Sequence, residues 1–367
     1  MKELGQILDR WRERPEGILA TVVQVKGSSY RRPGARMLIL PDGGRIGSVS
    51  GGCLEGDLSR KAWWLTEDGR PAVRTYDTTS DDDAVWEFGL GCNGVIDVLL
   101  ERLDTPEAAE AMQFLAQVHD RRKTATIATV IRGGPAGARL WLQENGQPAG
   151  SLRGSSLAFE IEPLLRSVTA SRVVSVDGTE IFIELVQPPQ TLVIFGAGHD
   201  AVPLVNIAKE LGWHVTVADG RPAYANAERF PSANCLHLLL PDRALAGIEI
   251  TRDAAVVLMT HNYPQDRLLL PYLLSRPLFY LGMLGPRVRT DRLFEELGAE
   301  PPPYVYAPVG LDIGAGSPET IALAIIAEIS AALARRSGGL LRDREAPIYD
   351  HPATPPLIRP VACETGF

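Results

Sequence analysis

The stretch Leu192-Val-Ile-Phe-Gly-Ala-Gly-His-Asp-Ala201 decides the fold of this chain. A short apolar strand runs into Gly196-Ala197-Gly198-His199-Asp200-Ala201, and the next residues, Val202 to Leu211, read as a helix. A second strand, His214 to Ala218, ends at Asp219, roughly 20 residues past the glycines. Together these are the dinucleotide-binding fingerprint, with Ala201 in the third glycine's place. Gly196 permits the tight turn, and Gly198 lets a pyrophosphate approach the backbone. The helix N-terminus offers free N–H groups and a positive dipole end to the anion. Asp219 is expected to accept hydrogen bonds from a ribose diol.

Working outward, strands and helices keep alternating through 236–239, 255–259, 266–274 and 278–281, the pattern of a doubly wound sheet. Upstream, Pro188-Pro189 marks a linker. The residues before it read differently: a helix over 1–16, a strand over 17–26, a hairpin of 37–40 with 45–49, and a helix over 54–65. Strands at 73–76 and 95–101 flank an acidic loop, Asp77 to Asp83. A helix from Pro106 to Arg122 opens on Thr105 as its cap. From Thr124 to Val186 short apolar runs alternate with glycine-rich turns, which predicts an antiparallel sheet, the second half of the first domain. The expected fold class is α/β: a C-terminal Rossmann-like doubly wound sheet (189–338) plus an N-terminal α+β domain (1–188), then a proline-rich tail (339–367). No internal repeat is visible in the sequence.

Composition narrows the functional classes. The 367 residues are 45% hydrophobic and 22% charged, as in soluble globular proteins. A net charge of −8 argues against nucleic acid or an anionic membrane as partner. The first residues form an amphipathic helix without a signal peptide's apolar core, and no apolar run is long enough to cross a bilayer. Cys53, Cys92, Cys235 and Cys363 are widely spaced, which excludes a Cys-x-x-Cys zinc site. The cytoplasm is the expected compartment.

Four further loops gather glycine and reactive side chains. Gly27-Ser-Ser-Tyr-Arg-Arg-Pro-Gly-Ala-Arg-Met37 offers Ser28 and Arg31 to a phosphate or oxyanion, or is a surface loop with solvated arginines. In Ser48-Val-Ser-Gly-Gly-Cys-Leu-Glu-Gly-Asp57, Cys53 follows Gly51 and Gly52 where a helix begins, a setting that favours the thiolate. Glu55 there is as much a first-turn helix charge as a catalytic group. Phe88-Gly-Leu-Gly-Cys-Asn-Gly94 repeats the theme with Cys92, so the two thiols are candidates to converge on one ligand, as nucleophiles or soft-metal ligands. Gly310-Leu-Asp-Ile-Gly-Ala-Gly-Ser-Pro-Glu319 precedes a long helix; capping explains Ser317-Pro318-Glu319 but not Asp312, which suggests a ligand cleft. His261, in Thr260-His261-Asn262, is a candidate base or pterin contact, or a structural histidine.

These segments resemble the xanthine dehydrogenase accessory (XdhC/CoxI) family. The resemblance is carried by GSSYRRPGARML, GSVSGGCLEGDL, GLGCNGVIDVLLE, VIFGAGHDAVPLVNIAKELGWHVTVADGR, ERFPSAN, MTH, YLGMLGPR and PVGLDIGAGSPETIALAIIAEI, in the family's order from about residue 17 to 335. Tyr30, Gly220 and Pro286 depart from its usual pattern. The resemblance implies a cytoplasmic accessory chaperone, often a homodimer, that binds the molybdenum cofactor (molybdopterin). It implies protection of that cofactor while a cysteine desulfurase supplies a sulfido ligand, and insertion into a molybdenum hydroxylase of the xanthine dehydrogenase type. It puts Cys53 and Cys92 near the cofactor, and Gly196, Gly198, Asp219 and Arg221 at a nucleotide or phosphate. A competing expectation is an NAD(P)-dependent oxidoreductase using the Rossmann half, or a half that binds a nucleotide form of the cofactor. A third is a scaffold that docks desulfurase to hydroxylase with an inherited Rossmann fold. Against the oxidoreductase, no Tyr-x-x-x-Lys pair stands near the expected place.

Overall fold

The computed structural model describes residues 2–77, 94–240, 245, 247–346 and 348. It divides into two compact units, one reaching Pro188 and the other beginning at Pro189.

The first unit is built on two antiparallel sheets. Helix α1 (Lys2–Glu13) precedes β1 (Ile18–Gly27), β2 (Arg36–Ile39), β3 (Arg45–Gly47), α2 (Glu55–Leu65), β4 (Ala72–Asp77) and β5 (Gly94–Arg102). Helix α3 (Pro106–Arg121) then leads to β6 (Ala125–Arg132), β7 (Arg139–Leu142), β8 (Pro148–Ala149), α4 (Ser156–Ser167), β9 (Arg172–Val176) and β10 (Thr179–Val186). The first sheet runs β3-β2-β1-β5-β4 and the second β8-β7-β6-β10-β9. The topology therefore repeats, contrary to the expectation of no internal repeat. Helix α4 also lies inside 124–186, where only strands were expected; Pro163 within it reads as a breaker in sequence. Its start is marked by Ser155, whose side chain accepts the Ala158 N–H at 3.2 Å.

Apolar alternation explains the layers. Ile18, Ala20 and Val22 of β1 point to a core closed by Leu54, Leu58 and Ala62 around α2, while Leu19 turns to the core under α1 and α3. The two sheets meet through Val23, Leu99, Ile131 and Phe182.

The second unit is a six-stranded parallel sheet of β11 (Thr191–Phe195), β12 (His214–Asp219), β13 (Cys235–Leu238), β14 (Ala255–Leu258), β15 (Tyr280–Met283) and β16 (Val305–Tyr306). Their order is β13-β12-β11-β14-β15-β16, the Rossmann order 3-2-1-4-5-6. Helices α5 (Ala201–Glu210) and α8 (Pro318–Leu333) cover one face; α6 (Tyr263–Leu274) and α7 (Arg287–Leu297) cover the other. The inner strands β11, β14 and β15 are buried on both faces, so they read as continuous apolar runs. Strand order reverses between β11 and β14, which opens a crevice at their C-terminal ends. The doubly wound sheet and the α+β unit are thus as expected. Helix α7, rich in arginine and glutamate, went unread.

Candidate functional site

In the first unit the loop from Ser48 to Leu54 is wrapped around one carboxylate. Glu55 opens α2, is 6% exposed, and accepts the N–H groups of Val49 at 3.1 Å and Ser50 at 2.8 Å. The Ser48 hydroxyl donates to it at 2.8 Å, and the Ser50 hydroxyl donates as well. Ser50 Oγ in turn accepts the N–H groups of Gly52 at 3.2 Å and Leu54 at 3.1 Å. Burial pushes the Glu55 pKa up, but the Ser50 and Ser48 donors outweigh it and hold the carboxyl below its ordinary range. The sequence leaves this residue between a first-turn helix charge and a catalytic group. The signal was the pair of serines, Ser48 and Ser50, ahead of an acid in the first helical turn.

Outside that anchor, Glu3, Tyr30, Arg31, Arg45, Gly51 and Gly52 line an open depression of about 440 Å³, with Glu55 at its edge. Gly52 has φ +114°, and a Cβ there would meet nothing within 4 Å, so its backbone borders open space. The Tyr30 ring lies against Gly51, 3.5 Å from where a Cβ would stand, and is 67% exposed. Arg31 is ion-paired with Glu3 at the rim, and Arg45 is exposed beside it. Ser28 is exposed on the same loop but does not line the depression. Cys53 is half-buried against the core beneath the first sheet and is not among the lining residues. Cys92 lies outside the described residues. Among the described residues, no three His, Cys, Asp or Glu side chains gather into a metal site.

In the second unit Gly196 sits at φ +117°, where a Cβ would stand 2.2 Å from the Met259 carbonyl oxygen. Only glycine fits between β11 and the end of β14. A Cβ on Gly198 would lie 2.5 Å from Asp200 Oδ1, so the loop is closely packed at its second glycine too. Asp219, 2% exposed at the end of β12, is fully engaged. It accepts the Ala197 N–H at 2.8 Å and the Arg221 N–H at 2.9 Å. It also accepts Arg221 Nε at 3.0 Å and Nη2 at 2.8 Å. These four donors match a carboxylate's roughly four acceptor sites. Burial raises its pKa; Arg221 and the Ala197 N–H lower it by more. A ribose diol would have to displace Arg221 to reach it.

Arg229 donates to the Ala197 carbonyl at 3.0 Å and the Gly198 carbonyl at 3.3 Å. Arg221 and Arg229 both lie against the Tyr224 ring, at 3.9 and 4.7 Å from its centroid. His261, at φ +55°, follows β14 and meets Asp200 through Nε2 at 2.7 Å. The structure thus brings Gly196, Gly198, Asp219, Arg221 and His261 to the crevice at the strand ends. Asp312 is exposed on the loop ahead of α8. That loop is tied down by Glu328, which accepts the Gly310 N–H at 3.0 Å and the Tyr280 hydroxyl at 2.5 Å.

Comparison with known proteins gives matches in both units. Residues 10–77 match the XdhC and CoxI family, and residues 192–329 match the XdhC Rossmann domain. A protein of Bacillus subtilis (strain 168) named as a probable xanthine dehydrogenase component is 37% identical over 318 residues, which cover 86% of this chain and 93% of that one. The molybdenum cofactor insertion chaperone PaoD of Escherichia coli (strain K12) is 25% identical over 319 residues, 85% of this chain and 82% of PaoD. A crystal structure of a xanthine dehydrogenase from Bacillus halodurans superposes with a TM-score of 0.80 at 32% identity, covering 92% of this chain and 97% of that one.

Proposed function

This chain belongs to the XdhC and CoxI family, and from that premise we propose that it is an accessory chaperone that carries the molybdenum cofactor to a hydroxylase of the xanthine dehydrogenase type. The relative named as a molybdenum cofactor insertion chaperone supports the reading. The observation that carries it is the depression beside Gly51 and Gly52. The cargo is a pterin heterocycle with an anionic phosphate and a metal that favours sulfur ligands. Tyr30 offers an aromatic face to the heterocycle. Arg45 offers positive charge to the phosphate, and Arg31 would do so on exchanging Glu3 for it. Gly51 and Gly52 leave the backbone open to close approach. Cys53, next along the loop, packs against the core and would have to turn out of it to be the thiol we propose for molybdenum or its sulfur, with Cys92 as its proposed companion.

The reading includes a cysteine desulfurase that supplies the sulfido ligand while the cargo is held, a cytoplasmic setting and a homodimer. Residues 1–188 are the cargo domain, 189–338 the Rossmann-like domain and 339–367 a tail. In the crevice, the alternative of an NAD(P)-dependent oxidoreductase is disfavoured by the Asp219 carboxylate, already satisfied by Arg221 and Ala197.

Anaerobic binding of isolated molybdenum cofactor to wild type and Cys53→Ala tests the reading, with molybdenum measured after gel filtration and NADH titrated in parallel. Retention that depends on the thiol, with no NADH turnover, is the expected result. Saturable NADH binding with no molybdenum retained would replace it with the oxidoreductase.

A further inference from the structure

We infer that the first unit is two copies of one module, that only the first copy carries a ligand loop, and that Glu184 of the second copy is that loop's positioning residue. The inference rests on the reading above that the depression beside Tyr30 holds the cargo.

The repetition extends from topology to single residues. The two sheets share strand order and each receives one helix between its third and fourth strands. Val22, Met37, Val49 and Leu58 form the first core where Val130, Leu140, Leu152 and Ile161 form the second. Gly34-Ala-Arg-Met-Leu-Ile39 corresponds to Gly137-Ala-Arg-Leu-Trp-Leu142. Gly47 and Gly150 both have positive φ, and a Cβ on either would meet the carbonyl oxygen of the corresponding arginine, Arg36 at 2.4 Å and Arg139 at 2.5 Å.

The two copies are joined by crossed ion pairs. Arg36 of the first donates to both carboxylate oxygens of Glu184 in the second, at 2.9 and 2.6 Å, and to the Gly34 carbonyl at 2.9 Å. Arg139 of the second donates to Glu101 of the first, and to the Gly137 carbonyl at 3.0 Å. Each pair is buried. Each arginine thus ties down the end of the turn before it, using a carboxylate from the other copy.

What differs is what each turn carries. In the second copy it is the short Gly133-Gly-Pro-Ala-Gly137. In the first it is Gly27-Ser-Ser-Tyr-Arg-Arg-Pro-Gly34, which brings Tyr30 and Arg31 to the depression. Ala158 stands where the first copy has Glu55, and Ser156 where it has Cys53. Glu184 therefore acts on the ligand loop through Arg36 and Gly34, whereas Glu101 makes the corresponding ion pair, through one oxygen, beneath a turn with no ligand groups. The twin is a matched control.

The test compares Glu184→Gln with Glu101→Gln by amide hydrogen exchange and by molybdenum retained from isolated cofactor. Both variants should lower the urea midpoint. Only Glu184→Gln should raise exchange over residues 28–33 and weaken retention, by about tenfold. Glu101→Gln should raise exchange over 133–138 and leave retention unchanged. Because a lone buried charge can prevent folding, Arg36→Met with Glu184→Leu is the second variant; it removes both charges together. It too should free residues 28–33. Unchanged exchange there, or equal loss of retention in the two single variants, overturns the inference. If wild type retains no molybdenum, the cargo reading fails, while the exchange over 28–33 still decides whether Glu184 holds the loop.

Discussion

Glu55 and Asp219 are buried carboxylates saturated with donors, and both have pKa values held below the ordinary range. A group whose folded pKa is depressed stabilises the fold above its unfolded pKa, and that contribution is lost as pH falls through the folded value. Urea midpoints should hold near neutrality and fall progressively below about pH 5. Asp219→Asn should cost about 2–3 kcal/mol at pH 7 and flatten the acid limb, because the charge that made stability depend on pH is gone. An acid limb as steep as wild type would remove Asp219 from this role. The sequence placed Asp219 at the crevice but assigned its lone pairs to a ribose. Arg221, two residues on, takes them, because the backbone turns at Gly220 and returns the guanidinium to the carboxylate. Which partner reaches a carboxylate first is a matter of local geometry that spacing does not encode.

The elements with strong end signals were legible. Ser317 caps α8 with a capping box through Thr320, and Pro318 suits the first turn. Ser317→Ala should cost about 1 kcal/mol, read as a drop of about 2–4 °C in the melting of the Rossmann unit. At the other end of the scale, Gly196→Ala should prevent that unit from folding cooperatively, since its Cβ meets the Met259 carbonyl at 2.2 Å; a cooperative melt in circular dichroism would contradict the packing. The helices that escaped notice, α4 and α7, carry contrary local signals: Pro163 inside one, and in the other a run of charge with few apolar positions. Their buried faces, Ala158, Ile161 and Leu165 in α4 and Leu293 and Phe294 in α7, are narrow, and only the sheets they cover make them helices.

Across the whole molecule, each unit owns its core. Residues 189–338 expressed alone should unfold in one cooperative urea transition, because both faces of the parallel sheet are covered by helices from within that span. Multiphasic unfolding would show otherwise. The α/β class and the Rossmann half were readable from one glycine turn and the strands around it. The doubling of the first unit was not. Beyond the Gly-Ala-Arg of each turn, its copies share core volume and turn conformation more than identity, and loops of unequal length break any fixed period. The candidate site was half legible. Gly51, Gly52 and Arg31 were read from their loops; Glu55 as an anchor, Tyr30 as a wall and Arg45 at the rim needed the fold to bring them together.

The crossed Arg–Glu pairs also set an order of events during synthesis. The first copy leaves the ribosome complete in its own strands by Arg102, yet Arg36 has no counter-charge until Glu184 emerges. A guanidinium cannot be buried alone, and Val23 and Leu99 find their apolar partners only when Ile131 and Phe182 arrive. The loop over 27–34 is therefore expected to stay unfastened until translation passes Glu184, and a chain truncated before residue 184 should show fast amide exchange over residues 28–33.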